Sequence, residues 1–162
     1  MAVVSQGGLF GYADLEQGRL LLPPVYQDAG PFREGLAVVR LGDRFGLIDR
    51  DGVWRVDCGR YDYVGPLSGG RALVRRDGLY GFIDRHGREA IAVRYPFACR
   101  FHEGRAVVRI GDKYGYIDTE GRQAIPPVFD RAYRFIGGKA RVNRCGETFF
   151  IDKSDECWLK FD

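Results

Sequence analysis

The sequence predicts an all-β protein made of tandem three-stranded antiparallel meanders, stacked as a curved repeat array. Two motifs that recur at one shared period, together with a high glycine content, support this prediction. A small closed ring resembling a propeller is the alternative arrangement. A chain of 162 residues is long enough to bury a core without disulfides or metals, and its 23 glycines indicate many turns.

The first motif is a short strand in which a glycine lies beside aromatic residues and is followed by Ile-Asp. It reads YGFID from Tyr80 and YGYID from Tyr114. The glycine position recurs at steps of 35, 35, 34 and 34 residues: Gly11, Gly46, Gly81, Gly115 and, in the last copy, Phe149. In three copies the aspartate begins an Asp-x-x-Gly sequence that fits a type I turn. The glycine allows another backbone to approach closely.

The second motif predicts the strand that precedes the first one. It reads FREGLAVVR from Phe32, LSGGRALVR from Leu67, FHEGRAVVR from Phe101 and FIGGKARVN from Phe135. Its alanine and valine alternate along the strand and are expected to face a core, while the opposite face carries basic residues. Because one unit cannot bury its apolar face alone, each copy is expected to complete the core of its neighbour.

The repeats occupy residues 9–152 of one domain that spans residues 1–162. We expect the array to begin at the second strand of a unit. The C-terminal tail, residues 153–162, is expected to pack over the last unit as a cap and to bring Cys157 near Cys145. The sequence contains neither a leader-like segment nor an apolar run long enough to cross a membrane. We therefore predict a cytoplasmic protein with free thiols and no membrane partner.

These motifs resemble the WG repeat family of bacterial proteins. The unit of that family pairs an aromatic-Gly step with Ile-Asp, a Gly-Arg or Gly-Lys, and a downstream Phe-x-x-Gly-x-Ala-x-Val. Here the matching elements are Tyr114-Gly115, Ile117-Asp118, Gly121-Arg122 and the run from Phe135 to Val142. This chain has Phe or Tyr where Trp is usual. The resemblance implies an all-β interaction module without established catalytic residues, and it implies no ligand.

Catalytic chemistry is not indicated by the sequence, so we predict that the protein is not an enzyme. The repeated aspartates are explained by turn geometry, and His86 lies in one of these turns. No spacing of histidines and cysteines fits a zinc site, and no nucleotide-binding or nucleophile motif is present. We therefore expect no cofactor and no metal.

Two sets of residues are candidates for binding a partner. The segments before the second motif differ most between copies, reading QDAGP, DYVGP, PFACR and DRAYR. Tyrosine and arginine, which are enriched at interface hot spots, occur there. The candidate partner-binding residues are Tyr63, Arg100, His102, Arg131, Tyr133 and Arg134. A second set would form a basic stripe on the non-core face of the first strands: Arg40, Arg71, Arg75, Arg105, Arg109, Lys139 and Arg141.

The sequence favours a non-catalytic module that binds another protein with an acidic surface. A specific form of this role is an inhibitor or immunity-type protein that occupies a toxin or an enzyme. Nucleic-acid binding through the arginine-rich face is an alternative, although the net charge of +3 is modest for such a role. Lectin-like carbohydrate binding on aromatic platforms is a second alternative. The oligomeric state does not follow from the sequence.

Overall fold

The computed structural model describes residues 1–154 and the backbone of residues 157–160. Within that part of the chain there are eighteen strands and no helix. The strands are β1 (Ala2–Gln6), β2 (Leu9–Asp14), β3 (Arg19–Tyr26), β4 (Asp28–Ala29), β5 (Leu36–Leu41), β6 (Arg44–Asp49), β7 (Trp54–Val56), β8 (Tyr63–Ser68), β9 (Arg71–Arg76), β10 (Leu79–Ile83), β11 (Glu89–Tyr95), β12 (Ala106–Ile110), β13 (Lys113–Ile117), β14 (Gln123–Phe129), β15 (Arg131–Ala132), β16 (Lys139–Arg144), β17 (Glu147–Asp152) and β18 (Cys157–Lys160). No described helix is long and apolar enough to cross a membrane.

The strands form five small antiparallel sheets that follow one another in chain order, and none of these sheets closes on itself. The first sheet is β1-β2-β3, the second β4-β5-β6-β7, the third β8-β9-β10-β11, the fourth β12-β13-β14, and the fifth β15-β16-β17-β18. In the fourth sheet, a bridge from Ala98 to Val108 places residues 97–99 beside β12, where the other sheets have a fourth strand. The predicted all-β repeat architecture is confirmed.

A buried cluster lies between each pair of neighbouring sheets. Between the third and fourth sheets, Phe82 of β10 packs against Phe101 with ring centroids 4.7 Å apart. Ala106 and Val108 of β12 belong to the same cluster. The aromatic face of one repeat therefore meets the Ala-x-Val face of the next, and each repeat supplies half of its neighbour's core.

The motif glycines bring the third strand of each unit close to the second. A Cβ on Gly81 would lie 2.7 Å from the Cα of Val93 and 2.8 Å from the carbonyl oxygen of Ile91. The strand pairing shifts register on either side of Phe82, which marks a bulge at this approach. In the fifth sheet Phe149 fills the glycine position, and its ring packs 6.3 Å from that of Phe129.

The Asp-x-x-Gly segments form the expected turns. Asp118 accepts main-chain hydrogen bonds from Glu120 at 3.0 Å and from Arg122 at 2.9 Å through its side chain. The carbonyl oxygen of Asp118 accepts a further bond from Gly121 at 2.9 Å, whose φ is +80°. Each such aspartate is held by its own turn, as its spacing predicts.

The structure differs from the sequence predictions in three places. The array begins with a first strand, β1, rather than with the second strand of a unit. The variable segments, predicted as loops, form strands β4, β8 and β15. The face opposite Ala-x-Val was expected to be exposed, and this is wrong for the middle repeats: Leu73 is 7% exposed and Val107 1% exposed, because the next sheet covers them.

The tail contributes a fourth strand to the last sheet, since the backbone of β18 pairs with β17. The predicted proximity of Cys157 to Cys145 concerns a side chain that lies outside the described part of the structure. Cys58, Cys99 and Cys145 are free thiols.

Candidate partner-binding surface

The variable segments lie along one edge of the sheets, and we call them the inner segments: residues 27–31, 62–66, 96–100 and 130–134. Each is fixed by main-chain hydrogen bonds to the first strand of its repeat. Asp62 donates to the carbonyl oxygen of Arg75 at 2.8 Å, and Cys99 donates to that of Val107 at 2.9 Å. The regular strand thus holds the variable segment in a defined position, while its side chains are free to differ between repeats.

Three inner segments border one cavity of about 1180 Å³, the central cavity. Its aromatic lining consists of Phe45, Tyr63, Tyr80, Phe97, Tyr133 and Phe150. Its charged lining consists of Arg75, Arg100, Arg134, Lys139 and Arg141, with Asp62 as the acidic member. His102 and Cys99 also contribute. The cavity therefore combines apolar rings with positively charged hydrogen-bond donors.

Arg75 lies between two aromatic residues in the third sheet. It pairs with Tyr63 of β8 on one side and with Tyr80 of β10 on the other. Directly paired residues point to the same face of a sheet, so the arginine is flanked by both rings. The Nε atom of Arg75 is buried and has no hydrogen-bond partner in the described part of the chain. Arg75 forms no ion pair with any described residue, so its positive charge is not neutralised by a described carboxylate.

The aromatic lining continues from the third sheet into the fourth. The ring of Phe97 lies 6.4 Å from that of Tyr80 and 5.6 Å from that of Tyr114. Both contacts are tilted or edge-on, which is the arrangement that aromatic rings prefer. Phe97 is 36% exposed and therefore presents an apolar surface at the cavity between two sheets.

On the fifth sheet, the guanidinium group of Arg141 lies 4.3 Å from the ring centre of Tyr133. A hydrogen bond from Arg141 and its positive charge lower the pKa of the Tyr133 hydroxyl below its ordinary value, and Arg131 adds to the effect. Tyr133 is 43% exposed. One face of its ring is occupied by the Arg141 cation, and the exposed remainder of the side chain is available to a partner.

A second cavity of about 350 Å³ adjoins the first along the inner surface. It is bordered by Asp28 and Arg40 of the second sheet and by Arg33, which lies between β4 and β5, and it shares Phe45, Tyr63 and Arg100 with the central cavity. Arg100 is exposed, and it forms no ion pair with any described residue. Arg100 thus stands at the junction of two basic cavities.

The structure brings together most of the predicted partner-binding residues. Tyr63, Arg100, His102, Tyr133 and Arg134 line the central cavity, and Arg131 lies exposed in β15 outside its lining. Sequence reasoning did not select the aromatic residues Phe45, Tyr80, Phe97 and Phe150. Phe97 lies in the variable segment 96–100, and this position in the sequence could have identified it as a candidate.

The predicted basic stripe is divided into separate groups. Arg75, Lys139 and Arg141 line the central cavity, and Arg40 lines the second cavity. Arg71 instead donates from Nε to the carbonyl oxygen of Thr119, in the turn between β13 and β14, at 2.9 Å. The Nε atoms of Arg105 and Arg109 are buried without a described partner. The seven residues therefore do not form one continuous surface.

Cys99 contributes a thiol and Asp62 a carboxylate to the lining of the central cavity. Burial raises the pKa of the Cys99 thiol, which keeps it protonated. The carboxylate of Asp62 accepts the main-chain N–H of Asp77 at 2.9 Å and so fixes a hairpin turn. Among the described residues there is no group of three or more His, Cys, Asp or Glu side chains that could hold a metal ion.

The family model described as "WG containing repeat" matches four consecutive segments of the chain, residues 10–44, 45–80, 80–114 and 114–144. The sequence matches none of the curated proteins. Among solved structures, the fold is similar to that of Hsv2 of Kluyveromyces lactis, with a TM-score of 0.54 and 8% identity over 98% of this chain and 59% of that chain. The structure of a Hsv2 variant with loop 6CD replaced by a Gly-Ser linker is similar with a TM-score of 0.58 and 10% sequence identity. That match covers 98% of this chain and 61% of the variant's chain.

These structural relatives are propeller-like proteins, and the chain spans about 60% of their length. At this level of identity the likeness concerns the fold alone.

Proposed function

The chain belongs to the family of WG containing repeats, and from this premise we propose that it is a non-catalytic module that binds another protein through its inner surface. The partner's complementary surface is acidic. The inner surface comprises the central cavity, the second cavity and the inner segments that border them.

The charge of the central cavity is the observation that carries this proposal. Five positive side chains and one negative side chain line it, a formal surplus of four. The whole chain has a net charge of only +3, so the rest of the molecule has no net positive charge. Such concentration of one sign in a concave site favours an oppositely charged partner.

The distribution of sequence variation supports the same surface. The four inner segments differ between repeats, whereas the strands that hold them follow one pattern. Binding residues are often located on variable segments that a regular scaffold positions. Tyrosine and arginine, the residue types most enriched at binding hot spots, are present in these segments.

The more specific hypothesis is an inhibitor or immunity-type protein that occupies a toxin or an enzyme. In such a role, binding is itself the activity, so the protein needs no catalytic group. If the partner is a toxin or an enzyme, adding this protein to it should abolish its activity at a ratio of one to one.

Nucleic-acid binding is the second candidate function, because arginines and aromatic rings line the same cavity. Single-stranded nucleic acid binds such surfaces by stacking bases on ring faces. Here, however, Arg141 covers one face of Tyr133, and the modest net charge of +3 is low for a nucleic-acid-binding domain. Lectin-like binding of sugars would use the same exposed rings, but the positive charge of the cavity favours an acidic ligand over a neutral one.

Affinity capture from the native cell, performed with and without nuclease treatment, tests the proposed function. The baits are the wild-type protein, an Arg100→Ala/Tyr133→Ala variant, and an Arg122→Ala control. Arg122 is exposed and is paired with Asp118 in a turn outside the cavity lining. We expect a protein with an acidic surface that is retained by the wild type and the control and lost from the double variant.

Two results would contradict the proposal. One is a partner retained equally by the double variant, which would place binding elsewhere. The other is a partner lost after nuclease treatment, which would indicate that nucleic acid mediates the interaction.

A further inference from the structure

We propose that the inner surface binds a single projecting acidic segment of the partner, a loop or a terminus, laid through both cavities with its central carboxylate on Arg100. This inference rests on the proposed function and adds the form and chemistry of the ligand. It distinguishes two modes of binding: uptake of a short peptide segment into the cavities, and contact with a flat protein surface.

The size of the site favours a peptide segment. The central cavity, at about 1180 Å³, is larger than the roughly 300–1,000 Å³ of typical small-molecule pockets. The second cavity extends the site by about 350 Å³. A single small metabolite would leave most of this combined space to water, whereas a segment of several residues would fill it.

The shape of the site disfavours a flat partner surface, because such a surface would not reach the hydrogen-bond donors inside the cavity. Arg75 lies within the third sheet between Tyr63 and Tyr80, with its Nε atom fully buried. A carboxylate can reach its guanidinium group only from a segment that enters the cavity. An ion pair formed inside a cavity is less exposed to water than a pair on an open surface, and it contributes more to binding.

The basic groups are arranged on both sides of Arg100. Arg33 and Arg40 border the second cavity, while Arg75 and Arg134 border the central cavity. Arg100 itself borders both and forms no ion pair with any described residue. A segment that passes through both cavities would therefore meet cations along its length. Several acidic side chains, rather than one, match this arrangement.

The aromatic lining adds a requirement for apolar residues in the segment. Tyr63 and Phe97 are each 36% exposed, and Tyr133 is 43% exposed. These side chains leave part of their apolar surface in contact with water, and its burial would favour binding. We therefore infer a segment in which aspartate or glutamate residues are mixed with aliphatic or aromatic residues.

Selection from a library of random twelve-residue peptides tests the inference. The library is first depleted on an Arg100→Glu variant and then selected on the wild-type protein. Enriched peptides should contain several Asp or Glu residues together with at least one large apolar residue. Peptides that are neutral or basic, or no enrichment beyond the depleted library, would overturn the proposal.

One enriched peptide is then measured by fluorescence anisotropy. Because a hydrogen bond to a charged group is lost, Arg100→Ala and Arg75→Ala should each weaken binding about tenfold or more. Arg122→Ala should bind as the wild type does, and replacing Asp and Glu of the peptide by Asn and Gln should abolish binding. Circular dichroism and thermal melting verify that each variant is folded. Unchanged affinity in the folded Arg100→Ala variant would overturn the proposal.

A twelve-residue oligothymidylate is the competing probe. If it binds more tightly than the acidic peptide, the cavity is a nucleic-acid site and the proposal fails. If affinity capture identifies a partner that needs the cavity but no acidic peptide is selected, the acidic-segment proposal fails while the proposed function stands. If an acidic peptide binds but no partner is captured, the inner surface is confirmed as a site for acidic segments, and the proposed binding of a protein partner fails.

Discussion

Arg71 in the third sheet donates its Nε hydrogen to the main-chain carbonyl oxygen of Thr119, in the turn that joins β13 to β14 of the fourth sheet, over 2.9 Å. Its Nη1 atom also donates to the carbonyl oxygen of Gly70 at 3.1 Å. Arg71 belongs to the same sequence motif as Arg75, four residues later, yet it connects two sheets while Arg75 faces the central cavity. Two arginines of the same motif, four residues apart on one strand, therefore have different roles.

Replacing Arg71 should change the stability of the protein, whereas replacing Arg100 should change its affinity for the partner. Arg71→Ala removes a hydrogen bond from a charged donor between two sheets, so it should lower the free energy of unfolding by about 1–2 kcal/mol and leave partner affinity unchanged. Arg100→Ala should weaken binding without changing the melting temperature. Thermal melting and anisotropy are measured on both variants. Equal melting temperatures for Arg71→Ala and the Arg122→Ala control would contradict this assignment.

Carboxylates connect alternate pairs of repeats. Glu103 accepts the main-chain N–H groups of Gly137 at 2.6 Å and Gly138 at 2.9 Å. Glu34 accepts those of Gly69 and Gly70, both at 2.8 Å. The hydrogen bonds from Gly138 and Gly137 and the positive charge of Lys153 hold the pKa of Glu103 below its ordinary value of 4.5, although desolvation opposes this.

The stabilising effect of Glu103 should depend on pH. Because its pKa is lower in the folded than in the unfolded chain, its contribution is fully present above about pH 4.5 and is lost as the pH falls through the folded-state pKa. Glu103→Gln should therefore melt below the wild type at pH 7, and this difference should shrink below pH 4.5. Glu16→Gln, at an exposed turn residue, is the control. A difference that persists unchanged at acidic pH would contradict the prediction.

Gly81 should not tolerate alanine. An added Cβ would lie 2.7 Å from backbone atoms of Val93, so the paired strand would have to move. We expect Gly81→Ala to destabilise the protein by about 2–3 kcal/mol, measured by urea denaturation. At Gly30 an added Cβ would lie 3.5 Å from the nearest atom, an ordinary contact. Gly30→Ala is therefore the matched control, and equal losses in the two variants would refute the close-approach explanation.

The hydroxyl of Tyr133 should titrate at a lower pH than an ordinary tyrosine. The hydrogen bond and charge of Arg141 lower its pKa from 10.0. The difference between ultraviolet titrations of the wild type and Tyr133→Phe isolates this residue from the other tyrosines. Its midpoint should lie below pH 10 and return toward that value in Arg141→Ala, with a smaller change in Arg131→Ala. A midpoint insensitive to Arg141→Ala would show that the cation does not act on this ring.

The repeat period made most of the fold predictable, because glycine, aspartate and alternating valine have fixed positions in each unit. The first strand, β1, was missed although Ala2-Val3-Val4 stands 35 residues before Ala37-Val38-Val39 and repeats its sequence. The burial of Leu73 and Val107 was missed for a different reason. An internal sheet of a stack has neighbours on both faces, so the alternation of one strand does not identify a solvent side.

The candidate site was predictable only in part. Variation between the inner segments indicated Tyr63, Arg100 and Tyr133, which line the central cavity. The separate positions of Arg71 and Arg75 depend on which neighbour each side chain reaches, and this is set by the stacking of sheets rather than by spacing along one strand. Likewise, Phe45 comes to the cavity from another repeat, and nothing in its own motif distinguishes it from the buried aromatics.

Hydrogen–deuterium exchange with and without the captured partner tests the role of the inner surface most directly. Backbone amides in residues 62–68 and 96–102 should exchange more slowly in the complex, because the bound segment covers the inner segments. The Asp-x-x-Gly turns at residues 84–88 and 118–122, which lie outside the lining of both cavities, should exchange as in the free protein. Protection confined to those turns or to β7, β11 and β14, with the inner segments unchanged, would contradict this account.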